Sequence, residues 1–142
     1  MSETQASQEP AVFKSDLLKG KKGLIVGVAN KRSIAWAIAK ALANQGAQLA
    51  FTYQGERLKE GVAELAATLP SPLPLYPCDV TKDDEVKKVF EDLGREFGAL
   101  HFLVHAVAFA KKEELDGRTV DTSREGFHLA LDVSSYSLIG LV

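Results

Sequence analysis

A doubly wound parallel α/β sheet is the fold this sequence predicts, and three observations predict it. Short apolar runs alternate four times with amphipathic helical stretches, the pattern of parallel βαβ units with right-handed crossovers. The first run, Gly23-Leu-Ile-Val-Gly-Val28, has the unbroken apolar character of a strand buried on both faces. The 142 residues are 46% hydrophobic and 25% charged, which suits one ordinary domain with a real core.

The elements follow in order. Residues 1–16 are rich in Ser, Gln and Glu, offer little to bury, and are expected to form a flexible tail. Residues 17–142 carry the domain. After the first strand, Ile34, Ile38 and Leu42 recur at helical spacing, and Gly46 supplies the stop. Ala47 to Thr52 reads as the second strand. Leu58, Val62, Leu65 and Leu69 mark one face of a second helix, ended by Pro70-Ser-Pro72. Leu73 to Cys78 is a third strand, weakened by its prolines. Val86, Val89, Phe90, Leu93 and Phe97 form the cleanest helical stripe, closed by Gly98. Leu100 to Val107 is the fourth strand, and residues 108–120 read as a polar loop. A last helix is expected from Thr122 or Ser123 through Phe127, Leu131, Leu138 and Ile139. Val142 stops the chain inside an apolar helical pattern, and four strands fall short of the six of a full dinucleotide fold. The expectation is a sheet cut short after the fourth strand and the following helix.

Composition excludes several classes. A formal net charge of −2 with mixed charges gives no footprint for nucleic acid. Cys78 is the only cysteine, so neither an intrachain disulfide nor a cysteine metal cluster can form. No apolar run approaches the ~18 residues of a membrane helix. Met1 to Pro10 lacks the apolar core of a secretory signal. The expected compartment is the cytoplasm.

Doubly wound folds bind ligands at the carboxyl ends of their strands, and the first βα turn holds the phosphate. Here that turn is Gly27-Val-Ala-Asn-Lys-Arg-Ser-Ile-Ala35. Gly27 allows a tight strand exit, and the helix start near Ser33 presents free N–H groups to an anion. There is no G-x-G-x-x-G, so a plain βα turn capped by Ser33 accounts for the pattern equally well.

The run Gly27-Val-Ala-Asn-Lys-Arg-Ser-Ile-Ala-Trp36 is followed by Phe51-Thr-Tyr-Gln54, Cys78-Asp-Val80, His105-Ala-Val-Ala-Phe-Ala110 and Ser134-Ser-Tyr-Ser137. In order and at this spacing, these segments closely resemble the bacterial enoyl-acyl-carrier-protein reductases. Those are divergent members of the short-chain dehydrogenase/reductase superfamily, with a Rossmann-like fold. The resemblance covers roughly residues 17–142. It implies reduction of the trans-2 double bond of an acyl thioester, carried on acyl-carrier protein in type II fatty acid synthesis, with hydride from NADH. It further implies a homo-oligomer, a tetramer in the intact protein.

The same resemblance implies residue roles. Gly27 and the Ser33-Ile34 backbone would cradle the pyrophosphate, with the Ser33 hydroxyl as an added donor and Ala29 near the adenosine ribose. Gln54 would lie beside adenine and ribose, where the general rule expects Asp or Glu. Arg57 is able to meet a 2′-phosphate and Glu56 to repel one, and the balance leans to NADH. Asp79 and the Val80 backbone would read the adenine, although Asp79 also suits a turn ahead of Thr81. Val107 would pass under the nicotinamide ribose, with Phe109 and Ala110 bordering the substrate. His105 and Cys78 read as structural. Many members of the family carry Ser and Gly where this chain has Ala106 and Ala108.

No catalytic residue is expected within the chain. The family's Tyr-x6-Lys pair is missing, because the last lysine is Lys112 and Tyr136 has none after it. The pair is expected beyond Val142, and residues 1–142 alone are expected to be inactive and prone to self-association. Two alternatives remain: a non-catalytic nucleotide-binding or interaction module, and another reductase of the superfamily. Against the latter stand the Ser33-Ile34 loop and the absence of Asn-Asn-Ala-Gly after the fourth strand.

Overall fold

The computed structural model describes residues 13–142. Four strands, β1 (Lys22–Val26), β2 (Gln48–Tyr53), β3 (Leu75–Pro77) and β4 (Phe102–His105), form one sheet in the order β3-β2-β1-β4. Every pairing is parallel. Helices α1 (Ile34–Asn44), α2 (Glu56–Ala67) and α3 (Asp83–Phe97) are the crossovers. The predicted fold class is the observed one. The direction of winding reverses between β1 and β4, so the chain leaves those two strands toward opposite sides.

Alternate strand residues feed two cores. Ile25, Leu49, Phe51 and Tyr53 pack with Trp36 and Ala39 of α1 and Val62 of α2. Leu24, Val26 and Ala50 face the other way, onto Val86, Val89 and Leu93 of α3. Phe51 is fully buried and meets the Trp36 ring edge-on, centroids 6.3 Å apart. α3 is also well finished electrostatically. Asp83, Asp84 and Glu85 stand in its first turn and Arg95 in its last, and Gly98 closes it at φ +71°.

Several expectations need correction. Ile34 is 76% exposed and Ile38 only half-buried; Leu42 does pack on the core, but beside it Ala35, Trp36 and Ala39 make the inner face of α1. Small alanines on either side of Trp36 let that helix lie close to the sheet, a contact the spacing of large aliphatic residues does not reveal. β3 is only three residues long, because Pro77 has no N–H for the ladder and an edge position tolerates that. The supposed loop 108–120 contains a short helix α4 (Lys112–Leu115) and a 3₁₀ turn (Thr119–Asp121). The last helix is divided: α5 (Arg124–Leu131) runs through a π turn (Asp132–Tyr136) into α6 (Ser137–Leu141). Its buried residues are Gly126, Ser137 and Leu141, whereas Phe127, Leu131, Leu138 and Ile139 are exposed. Most of the expected flexible tail, residues 1–12, lies outside the described residues. The remainder is tied down: the Ser15 N–H donates to the Asn44 carbonyl at 3.0 Å and its hydroxyl to Gln45.

Replacing Phe51 by Ala empties the centre of the α1–α2 core. The expected cost is about 3–5 kcal/mol, read as a lowered urea midpoint with an unchanged slope.

Candidate functional site

At the carboxyl ends of β1, β2 and β4 lies a cleft of about 170 Å³. Its floor is the exit of β1. Gly27 turns there at φ +113°, and a Cβ at that position would stand 2.1 Å from the Ala106 carbonyl oxygen. Only glycine permits both that backbone angle and that approach. Gly27, Ala29, Gln54, Val80 and Val107, for which the resemblance implies cofactor roles, all border the cleft.

Beyond Gly27 the turn is held by its own polar groups. The Arg32 N–H donates to Asn30 Oδ1 at 2.8 Å, and the Ser33 hydroxyl donates to the Asn30 carbonyl at 2.6 Å. Ser33 occupies the N-cap position of α1, yet its side chain caps no helix amide. This corrects the simple Ser-cap reading, and the hydroxyl expected to serve as an added donor to a phosphate is spent on Asn30. The first turn of α1 carries no acidic residue, and Lys31 and Arg32 are exposed beside it. The Ser33 N–H is taken by the Asn30 carbonyl at 3.0 Å; the amides that follow it, with positive charge beside them, favour an anion. Ser33 and Ile34 stand at that helix start rather than in the cleft wall.

Asp79 follows β3. Its Oδ1 accepts from the Thr81 N–H at 3.0 Å and the Thr81 hydroxyl at 2.7 Å, so it does form the turn expected ahead of Thr81. Burial raises this carboxyl, but the Thr81 bonds, the Gln54 side chain and the Lys82 charge outweigh it and hold the group below its ordinary value. The Asp79 N–H donates to Glu85 at 2.7 Å, tying the turn to α3. That bond and Lys82 keep Glu85 low as well. Cys78 lines the cleft, but burial pushes its thiol up to about 11, with Glu85 and Asp79 adding to the effect. It is an inert thiol at neutral pH.

Past β4 the chain runs along the cleft at Val107 and Ala108 and then leaves it. Phe109 is half-exposed, and neither it nor Ala110 lines the cleft. His105 is structural here: its Nε2 lies 2.7 Å from the buried Ser137 hydroxyl. Thr52, Leu58 and Val133 also line the cleft, although the sequence assigns none of them a site role and places Leu58 only on a helix face. Thr52 sits inside an apolar strand run, and Val133 belongs to the π turn, which leaves no periodic signal. Among the described residues no group of three or more His, Cys, Asp or Glu side chains is placed to hold a metal, and no helix is long and apolar enough to cross a membrane.

Sheet order, crossovers and cleft define a Rossmann-type α/β protein whose crevice stands where that class holds dinucleotides. Residues 27–142 match the enoyl-(acyl carrier protein) reductase family, and the chain belongs to it. It is 52% identical over 124 residues to the enoyl-(acyl-carrier-protein) reductase (NADH) of Bacillus cereus, covering 87% of this chain and 48% of that protein. The corresponding protein of Aquifex aeolicus is 50% identical over 125 residues, covering 88% and 46%. Among solved structures, the Bacillus cereus reductase with NADP+ and an indole naphthyridinone superposes with a TM-score of 0.87 at 50% identity, over 89% of this chain and 49% of that one. The Anaplasma phagocytophilum enzyme in complex with NAD gives 0.86 at 47%, over 90% and 48%. The chain spans about half the length of the curated relatives it matches.

The depressed carboxyls fix a pH dependence. A lowered folded-state pKa stabilises the fold fully above the unfolded value, about pH 4, and that contribution is lost as pH falls through the lowered value. Asp79→Asn is therefore expected to melt below the wild type at pH 7. The gap should close below about pH 4, as melting curves across the acid range will record.

Proposed function

We propose that this chain is the cofactor-binding half of an NADH-dependent enoyl-acyl-carrier-protein reductase of type II fatty acid synthesis. The observation that carries the reading is the open first turn of α1. Ser33 turns its hydroxyl to Asn30, so no side chain competes with a phosphate for the helix amides. NADH, when bound, supplies hydride to the trans-2 double bond of an acyl thioester carried on acyl-carrier protein.

The chain's own residues bind and orient. Gly27 would let the backbone run close under the pyrophosphate at the start of α1, where the Ser33 N–H is taken by the Asn30 carbonyl at 3.0 Å and the Ile34 amide is left to hold it, and Ala29 would lie near the adenosine ribose. Gln54 stands beside adenine and ribose. Asp79, kept ionised by its partners, accepts from the adenine amino group while the Val80 backbone reads the ring edge. Val107 supports the nicotinamide ribose, and Phe109 and Ala110 border the acyl chain. The Tyr and Lys that stabilise and protonate the enolate are assigned to the rest of the intact protein, since no lysine follows Lys112 in this sequence.

The intact enzyme is read as a cytoplasmic homotetramer acting on enoyl thioesters linked to acyl-carrier protein, without nucleic acid or membrane. What supports the oligomer is the apolar outer face of the last helix, where Phe127, Leu131, Leu138 and Ile139 lie exposed. Light scattering on the full-length protein tests it; a monomer would remove this part of the reading.

Kinetics test the cofactor. Glu56, held at the start of α2 by Lys59 at 3.2 Å, repels a 2′-phosphate, so kcat/KM for NADH should exceed that for NADPH. Ser33→Trp should weaken NADH binding about tenfold or more, because the bulky ring intrudes where the pyrophosphate meets the helix start and displaces contacts on the scale of one charge-assisted hydrogen bond. A preference for NADPH, or unchanged affinity by calorimetry, would contradict the assignment.

A further inference from the structure

We infer that Ser134, on the π turn, is a positioning residue: its hydroxyl clasps the Phe109 peptide and sets the loop after β4 against the cleft. The inference rests on the functional reading above, in which that loop borders the nicotinamide ribose and the acyl chain.

The loop needs such a clasp. The last ladder bond of the region is from the Ala106 N–H to the Val26 carbonyl, at 2.9 Å. Between Val107 and Ala110 the hydrogen bonds found among the described residues both go to Ser134. The Phe109 N–H donates to Ser134 Oγ at 3.1 Å, and Ser134 Oγ donates to the Phe109 carbonyl at 3.2 Å. A hydroxyl has one hydrogen and two lone pairs. Here the hydrogen and one lone pair engage the two polar groups of a single residue, which fixes its tilt as well as its distance.

The turn that carries Ser134 is itself anchored to β4. Ser137 is 2% exposed, and its hydroxyl donates to the Val133 carbonyl at 2.7 Å. Its only hydrogen is then used, so toward His105 it acts as an acceptor. His105, the last residue of β4, therefore carries its proton on Nε2 and donates across 2.7 Å. Two bridges join the same two segments, His105 to Ser137 and Phe109 to Ser134. The widened π turn lets consecutive residues serve one neighbour: Val133 lines the cleft while Ser134 holds the loop. Single π turns of this kind recur where a helix supports a site. On its other flank the loop is confined by Gly27, whose Cα leaves no room for a Cβ beside Ala106. The hydrogen bonds of the Ser134 hydroxyl go to Phe109 and to none of the adenine or pyrophosphate positions, so its influence falls on the reacting end.

The test uses the full-length protein with Ser134→Ala, Ser134→Cys, Ser134→Thr and, as a control on the same turn, Ser135→Ala. Readouts are crotonyl-thioester kinetics and hydrogen exchange at the Phe109 amide. Ser134→Ala should lower kcat about tenfold, the scale of a mispositioned reactant, while KM for NADH stays within about twofold because the adenine and phosphate contacts are untouched. Phe109 exchange should accelerate about tenfold. Ser134→Cys, close in size and a poor hydrogen-bonding group, should behave like Ala even if Ala disturbs the helix. Ser134→Thr should restore both readouts, and Ser135→Ala should change neither. Wild-type kcat in Ser134→Ala and Ser134→Cys, or unchanged Phe109 exchange, would overturn the inference. So would an equal loss in Ser135→Ala. A wild type that turns over no enoyl thioester would instead overturn the functional reading, and the positioning role with it.

Discussion

The close passage of β1 and β4 at Gly27 and Ala106 is the constraint on which the rest depends. Two parallel strands whose crossovers lie on opposite faces must part at their carboxyl ends, and the gap between them is the cleft. A side chain at residue 27 would collide with the Ala106 carbonyl and force the two exits apart. With glycine there, the β1 turn crosses low and delivers the start of α1 beside the cleft. The residues after Ala106 run along its opposite wall.

Electrostatics then separates the two ends of the sheet. At the carboxyl end the amide ends of α1 and the exposed Lys31 and Arg32 favour an anion, while Asp79 keeps a fixed negative charge on the far side, near Gln54. A larger hollow of about 580 Å³ lies at the opposite end, among Gly46, Pro70–Pro74 and Phe97. There the helices end, so their carbonyls point toward it. Lys22 already spans part of that hollow, donating to the Phe97 carbonyl at 2.6 Å. Size favours that hollow; the chemistry favours the cleft at Gly27.

How much of this was legible in the sequence depended on which physical signal each element left. α3 was read almost to the residue, because its large apolar residues keep a strict helical period and Gly98 ends it. The inner face of α1 was only partly legible: Leu42 packs on the core, but the rest of the face is Trp36 between small alanines, and Ile34, at the expected spacing, points to solvent. Gly27 was recognisable as a glycine after a strand, but its reason, the Ala106 carbonyl, sits 79 residues later in the chain and has no local mark. The open cap at Ser33 was invisible because a serine in that position ordinarily does cap. The π turn was the least legible of all: nothing in the spacing of Asp132–Tyr136 distinguishes it from ordinary helix, and with it went Val133 and the clasp at Ser134. Family resemblance, not periodicity, supplied the assignment of Gln54, Asp79 and Val80.

The central claim is that a dinucleotide lies across the cleft at Gly27 with its phosphates at the start of α1. Amide-resolved NMR of the full-length protein during an NADH titration tests it most directly. The account predicts the largest shifts at Gly27, Ser33, Ile34, Asp79 and Val107, with Lys19, Gly46 and Leu73 at the other end of the sheet unmoved. Saturable shifts concentrated at Lys19, Gly46 and Leu73, with Gly27 and Ser33 silent, would contradict it.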